Sequence, residues 1–356
     1  MTGTLSEFQR RLLRWYDGHR RDLPWRLPLN SSAGDAALDP YHVLVSEAML
    51  QQTQVATVIP YFRSFLEKFP TLPALANADL QEVLRAWQGL GYYSRARNLQ
   101  KAAMKILTDF DGHVPSDVEQ LLELPGVGRY TAGAVASLAF GNRAPILDGN
   151  VARVLCRLDA VKEDPRELVT RELLWVRAEE ILPRKRVGDF NSALMELGAL
   201  ICTPRSPRCL LCPLNKQCSA YAAGISEQIP PPKKAKPIPL IQRWTFCIRS
   251  ENRYLIEQRP ASGRWAGMWQ FVTIEPTKKR PSVDLIRSQF SLRTSMPKPI
   301  GTVEHALTHR RYHFHIFLCD LIGPVESPPP RKWVTLKEIV KHPLPRPQVK
   351  IIDLLE

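Results

Sequence analysis

Four of the seven cysteines in this 356-residue chain fall between positions 202 and 218, spaced Cys202-x6-Cys209-x2-Cys212-x5-Cys218. Thiols this close either form disulfides or, as thiolates, hold metal. The opening residues MTGTLSEFQRRLLRW lack the apolar core of an export signal, so secretion into an oxidising compartment is not expected. A metal site is expected instead, and the ligand type leaves a [4Fe–4S] cluster and zinc both open. Arg205, Arg208 and Lys216 interleave with the cysteines and could meet phosphates. A second group is LLELPGVGRYTAGAV, residues 121–135. One helix is expected to end at Leu124, Pro125-Gly126-Val127-Gly128 to form a tight turn, and another helix to follow. Gly126 and Gly128 permit positive φ and leave the backbone uncovered. Amides at the start of the second helix then suit a phosphate without reading sequence. An ordinary helix–helix turn shares this pattern.

The elements that must position these groups are mostly helices. Phe8, Leu12, Leu13 and Tyr16 share one helical face in residues 5–16. Residues 27–39 are small and polar, a surface loop. Asp39-Pro40 then caps a helix expected to run to about Thr57. Helical patterns follow at 60–69, 79–88, 94–110, 116–123, 129–140, 149–160, 165–181 and 189–201, with almost no alternating pattern before residue 225. Residues 226–240 (SEQIPPPKKAKPIPL) form a Pro- and Lys-rich linker of polyproline II character, whose lysines could lie against phosphate. Beyond it RWTFCIRS, RYLIEQR, MWQFVTI, HRRYHFHIFLCDL and RKWVTL are short β-branched and aromatic runs. Helices are expected at 283–290 and 335–341. The expected architecture is an all-α domain over 1–225, a linker, and a small α+β domain over 241–356.

Lysine and arginine total 49 against 35 acids, a net charge of +14. That favours a polyanionic partner, nucleic acid or an anionic membrane surface. No run of about 18 apolar residues exists to cross a bilayer. A hydrophobic share of 44% argues against a disordered chain.

Five segments together carry a family resemblance: VSEAMLQQTQVATVIPYF (45–62), GLGYYSRARNL (89–99), LPGVGRYTAGA (124–134), ILDGNVARVL (146–155) and the cysteine run. The chain resembles the MutY family of adenine DNA glycosylases, closely over residues 5–225 and more loosely beyond. The resemblance implies a helix-hairpin-helix glycosylase fold, with a six-helix barrel module and a cluster module around 202–218. It favours a [4Fe–4S] cluster on the four cysteines. In the sibling endonuclease III family a catalytic lysine stands where this chain has Tyr130, which cannot form a Schiff base.

Breaking an N-glycosidic bond needs an acid to protonate the leaving base and a carboxylate to face the cationic sugar. The resemblance assigns these parts to Glu47, toward adenine N7, and to Asp148. Glu47, on a helix with Val45, Met49 and Leu50, is expected to be partly buried with a raised pKa. Asp148 precedes a helix whose amides would favour its anion; it either bonds to the sugar or acts through charge alone. Tyr130 and Asn150 match positions beside these carboxylates. Gln52 and Tyr92 match residues that enter the duplex once the base is flipped out, with core packing expected of one of Tyr92 and Tyr93. Arg21, Trp25 and Leu50 match the adenine pocket. Ser192 stands where the family usually has a longer Gln or Glu.

RYLIEQRPASGRWAGMWQFV (253–272) resembles the MutT/Nudix fold without its acidic signature, so nucleotide hydrolysis is not expected. In MutY this domain helps recognise 8-oxoguanine through a Phe-Ser-His loop, for which this chain has Leu307, Thr308 and His309. The expected partner is duplex DNA carrying adenine opposite 8-oxoguanine or guanine. The protein is expected to be a monomer in the cytoplasm, nucleoid-associated if the source is bacterial.

Overall fold

The structure, a computed structural model, describes residues 4–26, 38–232, 237–276, 280–326 and 329–356. Most of the expected 27–39 loop, and linker residues Lys233, Lys234 and Lys236, lie outside the described residues. Among the described residues, helices α1 (Leu5–His19), α2 (Pro40–Leu50), α3 (Val55–Lys68), α4 (Leu72–Ala76), α5 (Leu80–Ala86), α6 (Ser94–Asp109), α7 (Val118–Leu122), α8 (Arg129–Phe140), α9 (Gly149–Leu158), α10 (Leu168–Glu180), α11 (Val187–Leu200) and α12 (Ser219–Ala222) precede the first strand. By its contacts the chain gathers into two units, residues 1–77 with 98–234, and residues 78–97 with 235–356.

In the first unit α1 buries Phe8, Leu12, Trp15 and Tyr16. These join a core with residues of α9, α10 and α11, including Val154, Leu155, Trp175, Phe190 and Leu197. Asp39 caps α2 by accepting from the Tyr41 amide at 2.8 Å, with Pro40 in the first turn. The helix expected to reach Thr57 stops at Leu50, because Gln52 takes a left-handed φ of 58°, which an α-helix cannot contain. The chain restarts as α3 after Gln54. Helix α4 had no periodic signal at five residues; the Thr71 hydroxyl caps it, accepting from the Ala74 amide.

The second unit holds strands β1 (Leu240–Ser250), β2 (Arg253–Gln258), β3 (Trp269–Ile274), β4 (Lys298–Leu307), β5 (Arg310–Asp320) and β6 (Arg331–Thr335), with helices α13 (Val283–Phe290), α14 (Leu336–Ile339) and α15 (Arg346–Ile352). The sheet order is β4-β5-β1-β3-β2-β6, parallel between β1 and β5 and antiparallel elsewhere. Alternation along β2 sends Tyr254 and Ile256 into the core with Ile339 and Ile351, and Leu255 into the opposite core with Leu285 and Ile286. Both faces are therefore covered by helices.

Two elements of this unit escaped the sequence reading. Strand β4 carries Pro299 and Gly301 at a bulge, a combination tolerated at a sheet edge. Leu307, Thr308 and His309, expected in a loop, are the end of β4 and a two-residue hairpin turn, Thr308-His309, with Leu307 paired to Arg310. Helix α15 is the other. Residues 78–97, expected in the first domain, gather with this unit instead. Gln81 donates to the Gly267 carbonyl at 3.1 Å and accepts from the Trp269 indole at 3.0 Å. Gln88 accepts from the Leu344 amide at 3.1 Å, and Arg97 donates to the Ala266 carbonyl at 3.0 Å.

Candidate active site

Helix α2 is buried almost all round, through Tyr41, Val43, Leu44, Val45, Ser46 and Met49. It carries one acid, Glu47, which is 4% exposed. Burial raises its pKa to about 7; the Tyr130 hydroxyl and Arg26 oppose the shift, and the nearby Asp148 charge adds to it. Glu47 Oε2 is buried with no hydrogen-bond partner. Sequence reasoning foresaw partial burial; the helix buries Glu47 fully.

Asp148 is the N-cap of α9. Its carboxylate accepts from the Val151 amide at 2.7 Å and from Asn150 Nδ2 at 3.0 Å. These donors and Arg153 favour the anion, as the helix-start position led one to expect, but desolvation outweighs them and the net shift is upward. Asn150 Oδ1 in turn accepts from Arg153 at 2.9 Å, and Arg153 donates to the carbonyls of Gly198 at 2.7 Å and Cys202 at 2.8 Å. Gly198 allows this approach of α11 to α9, since a Cβ there would lie 2.7 Å from the Asn150 Cβ. Tyr130 keeps its proton, held well above the usual phenol range by burial and by both carboxylates, and its hydroxyl meets Met195 Sδ at 3.3 Å.

Glu47, Tyr130, Asp148 and Asn150 line one cavity of about 730 Å³ together with Arg21, Trp25, Leu50, Gln52 and Ser192. Trp25 also packs edge-on against Phe62, so it is wall and core at once. Glu196 went unnoticed in the sequence. It is fully buried and binds Arg21 twice, at 2.7 and 2.9 Å, and Arg26 at 2.9 Å. Its pKa is lowered, because these arginine contacts outweigh the desolvation that pushes it up. The two arginines at Arg21 and Arg26, five residues apart, were the available signal for a buried acid partner.

Gln52 is exposed, with a φ of 58°. Tyr92 lies in the other unit, 42% exposed with a φ of 47°, while Tyr93 is the buried member of the pair. Left-handed backbone at a non-glycine residue is costly and often marks a functional position. The Tyr92 hydroxyl bonds Thr308 Oγ1 at 2.8 Å. Tyr92, Leu307, Thr308 and His309 line a cavity of about 450 Å³ with Arg97, Arg264 and Trp265.

In the hairpin, Gly126 has φ +81° and a Cβ would sit 2.6 Å from the Asn98 Cβ, so only glycine fits. Gly128, expected to share that freedom, has φ −100°. It caps α8 without a side chain, leaving the first amides uncovered, and both glycines are exposed.

The four cysteines are free thiols on the segment after α11. Arg157, 2% exposed, fastens that segment to α9. It donates to Cys202 Sγ at 3.3 Å and to the carbonyls of Thr203 at 2.7 Å, Pro204 at 3.3 Å and Ile229 at 2.7 Å. Burial pushes the Cys212 thiol up to about 12, with the other three cysteines adding to it. The Leu214 amide faces Cys212, and the amides of Tyr221 and Ala220 face Cys218. Such N–H donors around sulfur suit thiolates that share a positive centre. Among the described residues no three or more His, Cys, Asp or Glu side chains are grouped closely enough to hold a single metal ion. Arg205, Arg208 and Lys216 are exposed.

Residues 45–180, which hold Glu47, the helical hairpin and Asp148, match the HhH-GPD superfamily of base excision DNA repair proteins; residues 243–354 match a NUDIX domain. A thermostable thymine-DNA glycosylase superposes with a TM-score of 0.53 at 31% identity, covering 62% of this chain and 97% of that one. An endonuclease III trapped in a covalent DNA intermediate gives a TM-score of 0.50 at 25% identity, covering 63% of this chain and all of that one. The adenine DNA glycosylase of Homo sapiens is 38% identical over 94% of this chain and 71% of its own length. That of Buchnera aphidicola subsp. Schizaphis graminum is 34% identical over 99% of this chain and all of its own. The chain belongs to the adenine DNA glycosylase family, and its activity is hydrolytic release of adenine in base excision repair. No helix among the described residues is long and apolar enough to cross a membrane.

Proposed function

We propose that this enzyme removes adenine opposite 8-oxoguanine or guanine in duplex DNA, with Glu47 as general acid and Asp148 as the carboxylate facing the sugar. The observation that carries this reading is the buried Glu47 carboxyl, with a pKa near 7 and an unpartnered oxygen, beside Asp148 in one cavity. Glu47 gives its proton to N7 of the flipped base, and the C1′–N9 bonding pair leaves with adenine. Asp148 stabilises the oxocarbenium ion, and water adds at C1′ to give an abasic site. Tyr130, which stays neutral, and Asn150 keep the two carboxylates in place. Gln52 and Tyr92 enter the duplex, Arg21, Trp25 and Leu50 hold the base, and the α8 amides with Gly126 and Gly128 hold phosphate.

Cys202, Cys209, Cys212 and Cys218 would hold a [4Fe–4S] cluster, which when bound supplies a rigid crosslink for a loop whose exposed arginines and lysine meet DNA. Leu307, Thr308 and His309, with Tyr92, form the 8-oxoguanine-reading surface. The protein acts as a monomer on DNA in the cytoplasm or nucleoid.

The test is a duplex bearing adenine opposite 8-oxoguanine, analysed with and without alkali. Strand breakage that needs alkali is expected of a monofunctional glycosylase. Breakage without alkali would point to a lyase, and absence of base release would overturn the reading.

A further inference from the structure

Two cavities of the first unit share a wall. The active-site cavity and a second one of about 420 Å³ are both lined by Arg26, Leu38, Leu138 and Ser192. The second cavity is completed by residues including Tyr16, Arg20, Ala139, Arg186 and Asp189, and neither Glu47 nor Asp148 lines it. The two cavities therefore adjoin at the four shared residues. Arg26 cannot swing across the junction, because Glu196 holds it at 2.9 Å. Arg186 is fastened in the same way, to Asp17 and Asp189. The floor is the Tyr16 ring, with the guanidinium carbons of Arg20 and Arg26 each 5.8 Å from its centroid. Of the four shared residues Ser192 is the smallest, and it is 6% exposed. It therefore leaves more room at the junction than the other three side chains.

A purine whose N9–C1′ bond lies at Asp148 turns its opposite edge, with the exocyclic amine on C6, away from that carboxylate. We propose that the site releases adenines enlarged at N6 by an alkyl or arylalkyl group, which lodges in the second cavity, with Ser192 as the specificity-determining residue. This rests on the reading of Glu47 and Asp148 given above. The chemistry is unchanged: C1′–N9 breaks, water adds at C1′, and the N6-substituted adenine leaves with the proton from Glu47. An aromatic floor flanked by two guanidinium groups suits a benzyl group in particular.

The experiment compares single-turnover release of adenine and of N6-benzyladenine, each opposite 8-oxoguanine. The wild-type rates are expected to agree within about tenfold, whereas Ser192→Gln, which adds bulk where the two cavities adjoin, should widen the ratio to about a hundredfold or more. Ala139→Phe fills the second cavity from a residue that does not line the active-site cavity. It should widen the ratio equally while adenine release stays at the wild-type rate. A wild-type ratio as large as that of Ser192→Gln, or a ratio that neither variant moves, overturns the proposal. Adenine is the internal control: if wild-type enzyme fails to release adenine itself, the reading of Glu47 and Asp148 fails instead.

Discussion

A carboxyl group shut away from water keeps its proton more readily, and in the proposed reaction Glu47 and Asp148 divide the labour by how well each anion is supported. Desolvation raises both, but helix amides, Asn150 and Arg153 support the Asp148 anion, whereas Glu47 has only the Tyr130 hydroxyl and the more distant Arg26 charge. The release rate should therefore fall about tenfold per pH unit above about 7, as Glu47 loses its proton, and should fall again on the acid side as Asp148 gains one. A pH–rate profile that is flat from 6 to 9 would remove Glu47 as the acid. Glu47→Gln should bind the mispair and release almost no adenine in single-turnover assays. The same residue predicts a stability effect. Its folded-state pKa is about 7 against an ordinary 4.5, so between those values the unfolded chain gives up a proton that the fold retains, and the fold loses stability as pH rises through that window. Glu47→Gln escapes that loss. Denaturant midpoints should show the variant more stable than wild type at pH 8, by up to roughly 3 kcal/mol, and the gap should close below about pH 4.5.

At the scale of elements, α9 does two jobs, because its cap is Asp148 and its next turns carry Arg153 and Arg157. Arg157 satisfies three carbonyls and one cysteine sulfur from inside the core, so Arg157→Met leaves the buried Ile229 carbonyl, and the half-buried Thr203 carbonyl and Cys202 sulfur, without this donor. The expected loss is at least about 3 kcal/mol in denaturant unfolding, with faster bleaching of the absorbance of the proposed iron–sulfur cluster. Unchanged bleaching would mean that the loop does not depend on this side chain. Most of the helices were legible because an apolar stripe repeats over several turns. Glu47, Asp148 and the cysteines could be singled out as candidates because short motifs surround them. Glu196 and Arg157 were not, since a buried charge looks in sequence like any exposed one until its partner, some 175 or 72 residues away, is brought beside it. The stop of α2 at Leu50 was hidden because Gln52 adopts a backbone that its side chain does not announce. Strand β4 was hidden by the proline and glycine that mark its bulge.

For the whole molecule, the segment 78–97 carries Tyr92 to the hairpin turn that holds Thr308. Tyr92→Phe and Thr308→Ala each delete one end of the same hydrogen bond. Each should reduce the preference for adenine opposite 8-oxoguanine over adenine opposite guanine by about fivefold, and the double variant should do no more than either alone. Additive losses would show that the two side chains act separately. The membership of residues 78–97 in the second unit also bears on how the chain is made and cut. These residues leave the ribosome well before the sheet they join, so Gln81 and Gln88 meet their partners in that unit only once residues up to Leu344 have been synthesised. A fragment starting in the proline-rich linker would lack the partners of Trp269, Leu344 and Ala266. Proteolytic nicking within 226–240 should therefore leave the two pieces eluting together, held by a segment that belongs by sequence to one and by packing to the other.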